Sequence, residues 1–136
     1  MSTTLINPKE DINMRDRDGL TPLHRNVMKG EHQLVRTLLG NGAVASVQDR
    51  RGNSPLHHAV ESGNLEMVEL LLEHNAPVNQ TNRFGQSSLH VCCNSNKPNE
   101  EILARLIYSE ADIDLQDMNG HMPLHYIITI HARLEL

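Results

Sequence analysis

Nine histidines and two cysteines are the side chains in these 136 residues best equipped for chemistry. Neutral imidazole and thiolate are zinc ligands, and a thiol beside an imidazole is an activated nucleophile. The spacing favours neither role. His57-His58 and Cys92-Cys93 are adjacent pairs, without the C-x-x-C or H-x-x-x-H interval that turns two donors towards one ion. Cys92 and His90 are two positions apart, and such residues do not face each other on a helix. With no glycine-rich phosphate loop and no paired catalytic carboxylates, the expectation is no metal, no cofactor and no catalysis. Four of the histidines recur instead. Thr21-Pro22-Leu23-His24 returns as Ser54-Pro55-Leu56-His57, as Ser87-Ser88-Leu89-His90 and as Met122-Pro123-Leu124-His125, at intervals of 33, 33 and 35 residues.

A fixed period of this length signals stacked units and not one globular core. A glycine precedes each histidine by five residues: Gly19, Gly52, Gly85 and Gly120. The second copy shows how a unit is built. Asp49-Arg50-Arg51-Gly52-Asn53 is turn material, Ser54 is a helix cap, and Pro55 suits the first helical position. Leu56, Ala59 and Val60 form an apolar stripe on a short helix, which Gly63-Asn64 ends. Leu65, Met67, Val68, Leu71 and Leu72 carry a second helix, with Glu66, Glu69 and Glu73 turned to water. A pair this small cannot bury its stripes alone and must stack on its neighbours.

From about Asp11 to the C-terminus this pattern resembles the ankyrin repeat, whose period and T-P-L-H-x-A signature it matches. The resemblance implies an all-α solenoid of helix-turn-helix units with β-hairpin loops. Repeats are expected at 17–49, 50–82 and 83–117, flanked by partial ones at 1–16 and 118–136. It also implies that the motif histidines hydrogen-bond locally, and that hairpin tips and the concave face of the first helices bind another protein. Asn79 stands where ankyrin repeats can be hydroxylated, but Pro77 replaces the acidic residue usual before such a site.

The copies differ. Asn26 and His32 replace Ala59 and Leu65, which suggests a less buried first repeat. Two extra residues fall in 94–99, lengthening the loop between the helices of the third repeat. Met122 replaces the capping hydroxyl of the fourth, at a cost of about 1 kcal/mol. Leu5–Asn13 aligns with Leu71–Asn79 as the tail of an upstream repeat or a cap derived from one. Ile127, Ile128, Ile130, Leu134 and Leu136 follow the last full repeat with no complete second helix to cover them, so self-association through this end is a possible outcome.

Aromatic residues make up 2% of the chain, and the formal net charge is −5. No apolar run approaches the roughly 20 residues that span a bilayer, and the N-terminus lacks the basic-then-apolar order of a secretory signal. Two adjacent cysteines do not make a disulfide framework, so the cytosol or nucleus is expected. Against the acidic balance, Arg17, Arg50 and Arg83 recur every 33 residues, with Arg51 beside them. They form either a solvated basic face or a dock for acidic or phosphorylated groups. Nucleic acid is disfavoured by the net charge and the lack of an aromatic platform. Phe84, at a tip where the other copies are polar, reads as an interface anchor, with Met28 and Met118 as weaker cases. Asn53, Glu61 and Gln86 complete the expected contact surface. The leading reading is a protein-binding adaptor or inhibitor, or part of a larger protein. Its rivals are a regulatory domain of an enzyme or channel and an inhibitor of a transcription factor or kinase.

Overall fold

The computed structural model describes residues 12–95 and 98–134. Seven helices run along them: α1 (Pro22–Lys29), α2 (His32–Gly40), α3 (Pro55–Glu61), α4 (Leu65–Glu73), α5 (Ser88–Cys93), α6 (Glu100–Tyr108) and α7 (Pro123–Leu134). Each pair α1/α2, α3/α4 and α5/α6 packs as a unit. The units stack in two layers: α1, α3, α5 and α7 pack in series, and α2, α4 and α6 do the same behind them. The chain is an all-α solenoid.

The inner helices α1, α3 and α5 are short, and their N-termini are fixed by the motif itself. Thr21, Ser54 and Ser87 each accept the backbone N–H three residues on, and the histidine at that position returns a bond to the cap's own N–H. Such reciprocal capping satisfies two otherwise orphaned donors per helix. Leu23, Leu56 and Leu89 sit one above another in the motif and are fully buried. Ala59, Cys92 and Cys93 are buried beside them, the cysteines filling small apolar positions.

Between units, each tip closes on itself. Asp49 N–H bonds to the Asn53 carbonyl and Gly52 N–H to the Asp49 carbonyl, both at 2.9 Å. Gly52 has φ +82°, and a Cβ there would stand 2.7 Å from Arg83 N. Only glycine fits both the turn and the approach of the next tip. The expected β-hairpins are not strands among the described residues. One backbone bond joins each tip to the next, too few in succession for a ladder.

Asn26 and His32 are only half-buried, as the sequence suggested for the first repeat. Asn99 caps α6 by accepting from Glu101 and Ile102 N–H, so the third outer helix starts at its own cap after the lengthened loop, of which residues 96–97 lie outside the described residues. The fourth copy departs from the motif. With Met122 in place of a hydroxyl, His125 is exposed and makes no ring hydrogen bond among the described residues, so the local role expected of the motif histidines holds at His24, His57 and His90 and fails at His125. Ile127 packs on the core, whereas Ile128 is 57% exposed. Residues 1–11 of the partial repeat expected at 1–16 lie outside the described residues, as do Leu136 and the side chains of Ile130 and Leu134.

Candidate functional site

The tips are held by a residue that the motif reading passed over. Asp49 Oδ1 accepts the N–H groups of Arg51 and Asn53, each at 2.9 Å. Asp16, Asn82 and Asp117 make the same pair of bonds in their own tips. These four positions recur at the intervals of the histidines, so the signal was present one residue before the arginine ladder. Asp49 is also bonded through Oδ2 to His58 Nε2 at 2.8 Å. One repeat earlier, Arg25 meets Asp16 at 3.0 Å from the matching position, which makes the contact a brace of the repeat.

The histidines tie the units together. Thr21 N–H donates to His24 Nδ1, so that nitrogen is unprotonated and Nε2–H donates to the Asn53 carbonyl of the next tip at 3.0 Å. His57 reaches Gln86 and His90 reaches His121 in the same way, at 2.8 and 3.0 Å. Burial pushes the pKa of His24 and His57 down, outweighing the bond each makes to a carbonyl. At Asp49 burial would raise the pKa, but the bonds from His58, Asn53 and Arg51 prevail and hold it below the usual carboxylate value. Asp16 is held low chiefly by the Leu20 N–H, and at Asp117 the bonds from His121 and Asn119 overcome burial.

Beside these tips lies an open groove of about 730 Å³ between the tips and the inner helices. Met28, Arg50, Arg51, Asn53, Glu61, Arg83 and Phe84, all singled out from the sequence, line it. Asp18, Leu20, Asp49 and His58 line it too, none of them among the expected contact residues. Gln86 lies in an adjoining recess with Phe84 and Asn53. Arg17 and Met118 are exposed on the flanking tips and line neither. Phe84 is 59% exposed and Met28 49%. Arg50, Arg51 and Arg83 are exposed and form no ion pair among the described residues, whereas Arg25 and Arg105 are paired with Asp16 and Glu69.

Among the described residues, one cluster brings metal-ligating side chains together. His24, Asp49 and His58 each bring a ligand atom within 4.8 Å of the others. Those donors are already engaged: both ring nitrogens of His24, and the Asp49 carboxylate with His58 Nε2. Binding a cation would cost the contacts that join two units. Burial pushes the Cys92 and Cys93 thiols up to about 11 and about 12, so neither is a thiolate nucleophile at neutral pH.

Comparison with protein families agrees with this architecture. The family described as "Ankyrin repeats (3 copies)" matches residues 2–82, and "Ankyrin repeat" matches residues 84–118. The chain belongs to the ankyrin repeat family, whose arrays are generally modules for binding other proteins. No curated protein matches the chain closely enough to count as a relative.

Proposed function

We propose that this chain binds a partner protein non-covalently through the groove and its tips, against an acidic or phosphorylated surface. The observation that carries this reading is the group Arg50, Arg51 and Arg83, without an ion-pair partner among the described residues of a chain of net charge −5, beside the exposed ring of Phe84. Unpaired guanidinium groups suit bidentate contacts to carboxylate or phosphate, and a half-exposed aromatic is a frequent interface anchor. A small adaptor or inhibitor, including one acting on a transcription factor or kinase, and a regulatory domain of a larger enzyme or channel would all use such a surface. Two buried free thiols suit a reducing compartment, cytosol or nucleus.

Quantitative affinity capture from cell extract tests the proposal, with wild type compared against the combined Arg50→Gln, Arg83→Gln, Phe84→Ala variant. Proteins retained by wild type and lost by a variant of unchanged circular dichroism are the expected result. Equal retention by both chains overturns the groove as the binding surface. A second reading, self-association through α7, is favoured by the exposure of Ile128 and by Met118, which is 74% exposed. Light scattering over a concentration series tests it: a constant monomer mass rejects it.

A further inference from the structure

The tips form one bonded line. Arg50 N–H donates to the Asp18 carbonyl at 2.9 Å, Arg83 N–H to the Arg51 carbonyl at 3.0 Å, and Met118 N–H to the Phe84 carbonyl at 2.9 Å. Those bonds fix the order of the side chains that project beside them. Along the line the surface is first basic, at Arg50, Arg51 and Arg83, and then apolar, at Phe84 and Met118, both more than half exposed. The line therefore has a direction that a uniform basic patch would lack.

Building on the proposed protein-binding role, we infer that this line receives a single extended segment of the partner, bearing two carboxylate side chains followed by one apolar side chain. Spacing supplies the register. Stacked helices lie roughly 8–10 Å apart, and an extended chain rises about 3.3 Å per residue, so successive tips meet about every third residue of the segment. The first carboxylate meets Arg50 and Arg51, the second meets Arg83, and the apolar side chain packs on Phe84 towards Met118. Carboxylates fit better than a phosphate because the cations are spread over two successive tips. Asp18, Asp49 and Glu61 line the same groove, and a doubly charged group held at one point would lie close to them.

Fluorescence anisotropy with labelled nine-residue peptides on the full chain provides the test. The ordered peptide carries Glu, Glu and Leu at three-residue intervals with Gly, Ser and Ala between them. The first control moves Leu between the two Glu residues, the second replaces Leu with Ser, and the third replaces both Glu with phosphoserine. The ordered peptide should bind about tenfold more tightly than each control. It should weaken as salt rises from about 50 to 300 mM, because exposed charge pairs are screened. Arg50→Gln with Arg83→Gln should remove most of that salt dependence, and Phe84→Ala should remove the preference for Leu over Ser. Equal binding of the ordered and Leu-moved peptides overturns the directional register. Tighter binding of the phosphoserine peptide overturns the choice of carboxylate. If no peptide binds while the groove variant still loses proteins in affinity capture, the extended-segment inference fails and the protein-binding role stands. If both measurements show nothing, the role fails with it.

Discussion

Asp49 draws more structure from one side chain than any arginine beside it. It accepts two backbone N–H groups, braces His58, and keeps the turn that presents Arg50 and Arg51. Asp49→Ala should cost about 2–3 kcal/mol in urea unfolding, because two donors and a half-buried imidazole lose their acceptor. Asp49→Asn should cost less than half of that, since Asn82 performs the same backbone task in the third tip through its Oδ1. Equal losses would mean that the His58 contact, not the turn, carries the stability. Phe84 presents the opposite case. Its ring is 59% exposed, so Phe84→Ala should leave the urea midpoint nearly unchanged while weakening partner binding by about 2 kcal/mol. A titration calorimetry measurement against the captured partner reads that loss, and unchanged affinity would strip Phe84 of its role as anchor.

Among the elements, α7 is the one built against the rule of the others. α1, α3 and α5 each begin with a hydroxyl that caps and a histidine that caps in return. At α7 the hydroxyl is replaced by Met122, and His125 is left exposed. Met122→Thr should restore the cap and raise stability by about 1 kcal/mol, read as a higher thermal midpoint. No change would mean that α7 melts before the rest of the array. This exception was legible in the sequence because it breaks a repeated position. The helices themselves were equally legible, since their caps, glycines and apolar stripes recur in register. The closure of the hairpin loops was not, because two closing bonds and one bond to the next tip make a turn without a ladder, and those bonds are seen only in the structure. The acceptor role of Asp16, Asp49, Asn82 and Asp117 was missed for a related reason: a short polar residue in a turn reads as solvated until its backbone partners are seen. Of the candidate contact residues, Arg17 and Met118 share the repeat positions of Arg50 and Arg83 but lie outside the groove. Periodicity shows which tip a residue occupies and not where a concavity begins and ends.

Over the whole molecule, the interlocking of units through His24 and His57 makes stability depend on pH. Burial lowers the pKa of both from the ordinary 6.5, so below that pH the unfolded chain binds more protons than the folded one. Their contribution is complete above pH 6.5 and is lost as pH falls towards their lower folded values. Asp16, Asp49 and Asp117 are also held below the ordinary 3.8, so they contribute above that value and a second loss follows beneath it. Urea midpoints measured from pH 8 to pH 3 should be flat to about 6.5 and then decline in these two stages. A midpoint that rises between pH 6.5 and 5 would show that relief of the net negative charge outweighs the histidines.

The central claim is that the groove and tips, not the outer helices, face the partner. Photo-crosslinking measures this directly, with p-benzoylphenylalanine placed at position 84 in one chain and at position 108 in another. Both positions hold exposed aromatics, Phe84 at 59% and Tyr108 at 82%, but Tyr108 ends the outer helix α6. Crosslinked partner should form from position 84 and be absent or several-fold weaker from position 108. Stronger crosslinking from position 108 would place the partner on the outer face and contradict the account.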